Sequence, residues 1–305
     1  MNNDNRGHGA RHRLDWGLRT GLMVLGEQTA VMGVLNLTPD SFSDGGRFAT
    51  SAEAVDAGLR MLDEGADLLD LGAESTRPGS HAGDGAATVG SAEEQARLLP
   101  VLDGILRARP AAVLSVDTYK AATARAALEH GAEIVNDVSG FEWDGEMARV
   151  CAESGCGVVL MHTRGKPDEW GGQASLASDQ VLSTVQAGLQ QRLQRACEAG
   201  IAMKQIVLDP GYGFGKRHEE NFALLARQAQ LLDLGRPLLA GVSRKSFLGH
   251  ALAESGVTAP VNARETASVA ALVVAILNGA SIVRVHNVRP AVEAARIADA
   301  VMRDY

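Results

Sequence analysis

Polar residues with chemical capacity recur at the ends of short apolar runs along this chain: Asn36, Ser75-Thr76-Arg77, Asp117, Asn136, His162, Asp209, Ser243-Arg244-Lys245-Ser246 and Arg284-Val285-His286. A single polar residue in such a place is ordinarily a helix cap or a turn former. A whole succession of them points to a shared site. Asp117, Asn136 and Asp209 offer two carboxylates and an amide, and Lys245 adds an ammonium. A carboxylate opposite two adjacent N–H donors makes strong paired hydrogen bonds, and an ammonium suits a ring carbonyl. Together these groups fit the edge of a buried, guanine-like heterocycle. A salt bridge between Asp117 and Lys245 is the alternative reading of the same charges.

A second group, Asn36, Arg77, Arg284 and His286, supplies positive charge and an amide. The chain carries 37 acidic against 29 basic residues, a net charge of -8. That balance argues against a nucleic acid or an anionic membrane as main partner. A bound anion must instead be caught by local cations, and this group suits phosphate or diphosphate. Asn36 also offers a neutral oxygen to Mg2+, a hard cation that prefers oxygen ligands and commonly rides on substrate phosphates. Ser246 opens the apolar stretch Phe247 to Ala253. A hydroxyl with free N–H groups at a helix start makes a small carboxylate site, and an ordinary N-cap serine has the same signature.

Other chemistries fail on inspection. Asp209 to Lys216 has the glycines of a phosphate loop, but Pro210 stands at the first Gly position and Arg217 replaces the closing Ser/Thr. Its glycines are expected to let backbone pass close to a flat ligand. Gly241-Val242-Ser243-Arg244-Lys245 lacks the second Gly of a nucleophile elbow. His8 and His12 share helical spacing in a polar tail without an adjacent Glu, so no zinc hydrolase is read there. Cys151, Cys156 and Cys197 show neither CxxC nor Cys/His ligand spacing, which suits a reducing, cytoplasmic setting.

Positioning these residues requires eight strand ends on one face. Apolar, β-branched runs at Val31 to Leu37, Asp67 to Gly72, Ala112 to Val116, Glu133 to Asp137, Gly157 to Met161, Ile206 to Asp209, Pro237 to Val242 and Ser281 to Val285 read as buried parallel strands. Helical periodicity fills the intervals at Ala52 to Glu64, Glu93 to Ala108, Ala121 to His130, Asp179 to Ala199, Glu219 to Leu232 and Arg264 to Asn278. Gly65, Gly131, Gly200 and Gly279 follow helices where a left-handed closing residue is needed, and Asn262 with Glu265 suggests an N-cap. Pro290 sits near the start of a last helix, where a missing N–H costs least. Eight evenly spaced βα units favour a closed (β/α)8 barrel of class α/β, its first strand against its eighth. Met1 to Trp16 reads as a loose polar tail, so residues 1–19 are set apart from a single domain over 20–305. Thr20 to Thr29 is expected to form a short N-terminal β-hairpin plugging the barrel floor. The segments Thr38 to Thr50 and Ser75 to Gly90 are long, aperiodic and on the same face, as lids would be. No apolar run is long enough to span a bilayer.

The run Asn36-Leu-Thr-Pro-Asp-Ser-Phe-Ser-Asp-Gly-Gly46 resembles the first signature of dihydropteroate synthases, and Gly72-Ala-Glu-Ser-Thr-Arg-Pro-Gly79 resembles the second. Ser115 to Thr118, Asn136 to Gly140, Met161-His162, Asp209 to Lys216, Ser243 to Ser246 and Arg284 to His286 complete the family's set in order, from about Leu22 to the end. The resemblance implies a (β/α)8 barrel enzyme of folate biosynthesis, cytoplasmic and homodimeric. It would bind 6-hydroxymethyl-7,8-dihydropterin diphosphate, admit 4-aminobenzoate, and release diphosphate by a dissociative route helped by Mg2+. Carried over, Asp117, Asn136, Met161, Asp209, Gly241 and Lys245 hold the pterin. Asn36, Arg77, Arg284 and His286 hold diphosphate, with Asn36 on the metal. Thr76, Arg77, Pro78, Phe214 and Ser246 shape the aminobenzoate site, and Asp44 and Ser75 belong to the lids. Lys245, Arg284, Asp117 and Asp209 are the expected catalytic set. The sequence departs from the family at Asn287, where Asp commonly follows Arg-Val-His, and in the length of His81 to Gly90. A pterin-binding methyl-transfer domain would share the ring site but has no use for the Ser-Arg-Lys-Ser run. A catalytically silent pterin-binding protein would be expected to lack some of these residues.

Overall fold

The computed structural model describes residues 11–38, 50–76, 80, 82–83 and 89–303. Two short antiparallel strands, β1 (Leu14–Gly17) and β2 (Leu22–Leu25), precede eight parallel ones. These are β3 (Ala30–Asn36), β4 (Leu68–Gly72), β5 (Val113–Asp117), β6 (Ile134–Asp137), β7 (Gly157–Met161), β8 (Ile206–Asp209), β9 (Leu238–Ala240) and β10 (Ala280–Val285). They close into a barrel in the order β10-β3-β4-β5-β6-β7-β8-β9. Every strand lies where the apolar runs place it, with ends shifted by at most two residues. Buried on both faces, such strands leave an unambiguous signal.

The helices α1 (Ser51–Asp63), α2 (Ser91–Ala108), α3 (Ala121–Glu129), α4 (Met147–Ser154), α5 (Ser178–Glu198), α6 (His218–Arg227), α7 (Ser246–Ala251), α8 (Glu265–Leu277) and α9 (Val288–Arg303) link the strands. Helix α4, at 8 residues, is too short for its periodicity to stand out in the sequence. Gly65, Gly131, Gly200 and Gly279 all take positive φ, as their positions require. Asn262 is not a cap: it is exposed in a single 3-10 turn, Val261–Ala263, and Arg264 stands directly before α8. Arg264 is fixed there by its own bonds, Nε to Ala259 O at 2.8 Å and Nη1 to Arg244 O at 3.0 Å. Among the described residues no helix is long and apolar enough to cross a membrane.

The barrel interior is layered. Because side chains alternate along a strand, the inward positions of β4 run Leu68, Asp70, Gly72, those of β5 Val113, Ser115, Asp117, and those of β10 Ile282, Arg284. Met32, Leu68, Ile134, Val159, Val207, Leu239 and Ile282 pack as one buried apolar cluster low in the barrel, and Trp16 and Leu25 of the hairpin complete it. The hairpin therefore closes the floor, but it begins earlier than Thr20. Part of the expected tail is structural: Trp16 is fully buried and donates Nε1–H to Gln205 O at 2.8 Å. Arg11 is likewise tied, through Nη2 to Asp299 Oδ1 at 2.5 Å and Nη1 to Ala280 O at 3.1 Å. A lone Trp and one Arg among several in a polar stretch carry no periodicity, which is why composition hides them.

Candidate active site

Two residues further up β4, β6, β8 and β10, the interior turns polar. Asp70 on β4 is fully buried, and its Oδ2 accepts from Arg284 Nε at 2.6 Å and from Asn136 Nδ2 at 2.9 Å. Arg284 Nη2 donates to Asp117 Oδ2 at 2.5 Å. The expected alternative for Asp117, a salt bridge to Lys245, gives way to this pair. Asp117, assigned to the ring, and Arg284, assigned to diphosphate, thus touch each other.

The charges perturb one another. Burial raises the Asp117 pKa to about 7; Arg284 and Lys245 oppose the rise, while Asp70 and Glu94 add to it. Burial and the repulsion of Arg284 bring Lys245 down to about 7 against the pull of Asp209 and Asp117. Burial also works against the Arg284 charge, yet Asp70 and Asp117 outweigh it and raise its pKa. Asp209 is raised by burial, and its Oδ1 accepts from Gly211 N at 2.7 Å. Lys245 Nζ sits 3.9 Å from the centroid of the Phe214 ring, a cation–π contact, and Phe214 in turn meets Trp170 edge-on. Met161 is buried at the end of β7, and a Cβ placed on Gly241 would lie 3.9 Å from Asp209 Oδ2. Asp117, Asn136, Met161, Asp209, Gly241 and Lys245 therefore share one barrel mouth.

At the rim, Ser243 Oγ and His286 Nδ1 are 3.1 Å apart. Asn36 ends β3 beside Gly72, half-buried. Ser75 and Thr76 are half-buried at the start of the second long loop, and Ser246 is the exposed first residue of α7. Arg77, Pro78 and Asp44 lie outside the described residues. The ends of that second loop are joined by Glu74, which accepts from Val89 N and Tyr119 Oη at 3.3 Å and pairs with Lys120.

Two expectations change. His162 turns away from the mouth: alternation puts Met161 inward, and His162 packs so close to α5 that a Cβ on Gly188 would meet its Cδ2 at 2.5 Å. Burial, with Lys216, Arg192 and Arg164 nearby, holds its pKa well below the usual imidazole value. The loop glycines after β8 serve protein packing as well as any ligand: a Cβ on Gly211 would lie 2.0 Å from His162 O. Lys216 fastens the same loop by donating to the carbonyls of Gly211, His162 and Phe214. Asp70 escaped the strand-end pattern because it lies mid-strand. Its phase with Leu68 and Gly72, which places an acid inside the barrel, was the available signal.

Residues 32–286 match the family described as pterin binding enzyme. A dihydropteroate synthase of Mycobacterium leprae is 43% identical over 271 residues, covering 88% of this chain and 92% of that protein. The chain belongs to the dihydropteroate synthase family of pterin-binding enzymes. A mitochondrial folate synthesis bifunctional protein of Pisum sativum is 37% identical over 294 residues, 93% of this chain, which spans 55% of that longer relative. Among solved family members, the Xanthomonas albilineans dihydropteroate synthase with 4-aminobenzoic acid superposes with a TM-score of 0.79 at 39% identity, over 92% of this chain and 95% of that one. The Burkholderia cenocepacia dihydropteroate synthase complexed with 7,8-dihydropteroate gives 0.79 at 37% identity, over 95% and 97%.

Proposed function

We propose that this chain is a dihydropteroate synthase that condenses 6-hydroxymethyl-7,8-dihydropterin diphosphate with 4-aminobenzoate, giving 7,8-dihydropteroate and diphosphate. The carrying observation is the convergence of Asp117, Asn136, Asp209, Lys245 and Arg284 on one barrel mouth. The 4-aminobenzoic acid and 7,8-dihydropteroate seen in family members support it.

In this reading the carboxylates and the Asn136 amide take the N–H edge of the pterin, Lys245 its carbonyl, and Met161 and Gly241 its faces. Arg284, His286 and Arg77 meet the diphosphate. Among the described residues no group of three or more His, Cys, Asp or Glu could hold a metal. The neutral amide oxygen of Asn36 would suit a Mg2+ ion, which would supply charge neutralisation to the leaving group. The methylene C–O bond breaks with its electron pair leaving on diphosphate. The cation left behind is delocalised into the dihydropterin ring, and Arg284 offsets the charge that develops on diphosphate. The arylamine lone pair then forms the C–N bond, and its proton passes to solvent. Thr76, Arg77, Pro78, Phe214 and Ser246 frame the aminobenzoate, with Ser246 at its carboxylate, and the loops bearing Asp44 and Ser75 exclude water.

Incubation with pterin diphosphate, Mg2+ and 4-aminobenzoate should release diphosphate only when both organic substrates are present. Release that 4-aminobenzoate does not accelerate, or none with both substrates, refutes the reading. We also infer a homodimer, because Val274 on α8 and Ile297 and Val301 on α9 are exposed apolar residues on neighbouring helices. Light scattering that returns a monomer mass removes that inference.

A further inference from the structure

Asp70 belongs to none of the polar positions that mark the strand ends, yet it stands beneath them all. One of its oxygens, Oδ2, accepts both Arg284 Nε and Asn136 Nδ2, at 2.6 and 2.9 Å. The other, Oδ1, has no hydrogen-bond partner among the described residues, and neither has the Oγ of Ser115, its register partner on β5. Burying a carboxylate is costly unless strong bonds compensate. A carboxylate with one bare oxygen is a poor choice for stability alone, since a neutral side chain would fill the layer at less cost. Its partners supply the reason. Arg284 is gripped from two sides, Nε by Asp70 and Nη2 by Asp117. The two grips differ: the Asp117 side chain is 14% exposed at the mouth, whereas that of Asp70 is 0% exposed and out of a ligand's reach.

We propose that Asp70 is a positioning residue for the pterin diphosphate site, anchoring Arg284 and Asn136 from below while an incoming ring takes Asp117 from the guanidinium. The inference rests on the pterin reading above. Arg284 exchanges one carboxylate for the diphosphate of the ligand without leaving the barrel. Asn136, with one N–H spent on Asp70, keeps its oxygen and second N–H for the ring.

Asp70→Asn tests this. An amide oxygen at the Oδ2 position still accepts both bonds, so the variant keeps the shape of this layer and loses the charge. The 15N-detected Nε–H of Arg284, assigned by its loss in Arg284→Lys, should be protected from solvent exchange in the free wild-type protein. It should stay protected when pterin-6-carboxylate, a ring without diphosphate, is bound. In Asp70→Asn its exchange should quicken about 10-fold or more, and Mg2+-diphosphate affinity should fall by a similar factor while pterin-6-carboxylate affinity stays within about 3-fold. Unchanged protection in Asp70→Asn overturns the proposal, as does an equal loss of affinity for both ligands. A wild-type protein that binds neither ligand overturns the pterin reading and the exchange with it. That failure is distinguishable, because the protection measured in the free proteins reports the grip of Asp70 by itself.

Discussion

Arg284 on β10 and Asp117 on β5 meet across the barrel, Nη2 to Oδ2 at 2.5 Å, although β3 and β4 separate their strands in the wall. One belongs to the expected diphosphate group and the other to the expected ring group, so a single contact joins the two groups. Removing the guanidinium leaves Asp70 and Asp117 without their shared cation. Arg284→Ala should lose about 3 kcal/mol of stability at pH 8. The deficit should shrink toward pH 5 as the orphaned Asp117, already raised by burial, takes up a proton. Urea titrations at both pH values check this, and a deficit independent of pH speaks against it.

The site should also impose a dip in stability near neutrality. Asp117 and Asp137 are raised by burial, to about 7 and about 6, so the folded state holds protons the unfolded chain has released. Their contribution is full below the ordinary carboxylate range and is lost as pH rises through 6 to 7. Lys245, lowered to about 7, acts oppositely: the unfolded chain binds its proton up to higher pH, so stability climbs again above 7. Asp117→Asn should flatten the acidic side of the dip and Lys245→Met the basic side, read from Tm against pH.

Lys245→Ala should weaken pterin binding about 100-fold, because it removes a charge-assisted hydrogen bond and leaves the carboxylates unrelieved. Phe214→Leu, which removes the aromatic face beneath the ammonium together with the edge-on contact to Trp170, should cost about 3- to 10-fold. Calorimetry with a pterin ligand orders the two effects, and full activity of Lys245→Ala, measured as diphosphate release, is incompatible with the assignment.

Asn287→Asp, which restores the commoner family residue, should leave kcat/KM within about 3-fold of the starting protein. Asn287 stands directly before α9, where Asn and Asp cap equally well, and His286 has Ser243 as its Nδ1 neighbour. A shifted pH profile in the variant would show that the residue acts on His286 after all.

Trp16→Ala should destabilise the fold by about 3–5 kcal/mol, while the folded fraction keeps its KM values. Thermal unfolding alongside steady-state kinetics tests this, and a neutral outcome would return residues 11–16 to the status of a tail.

Much of this architecture is legible in the sequence because parallel strands buried on both faces leave unbroken apolar runs, and because polar groups at their ends cannot be explained as caps eight times over. Asp117, Asn136, Asp209 and Lys245 are found that way. Partnership is harder to read than location: both Lys245 and Arg284 lie within Coulomb range of Asp117, and strand order alone does not say which reaches it. Asp70 was missed because an acid in mid-strand interrupts a run without ending it. Trp16 was missed because one buried side chain among polar neighbours has no period to reveal it.

Trp16 and Leu25 stopper the barrel from below, so traffic uses a single doorway. Under the proposed reaction, the ring that enters first would lie deepest and, once joined to its partner, would leave last and by the way it came. Diphosphate would then depart through the same opening that the second substrate uses to arrive. On that reading the shape of a blind-ended vessel sets the order of events, and accumulating product would compete at that doorway with the next pterin.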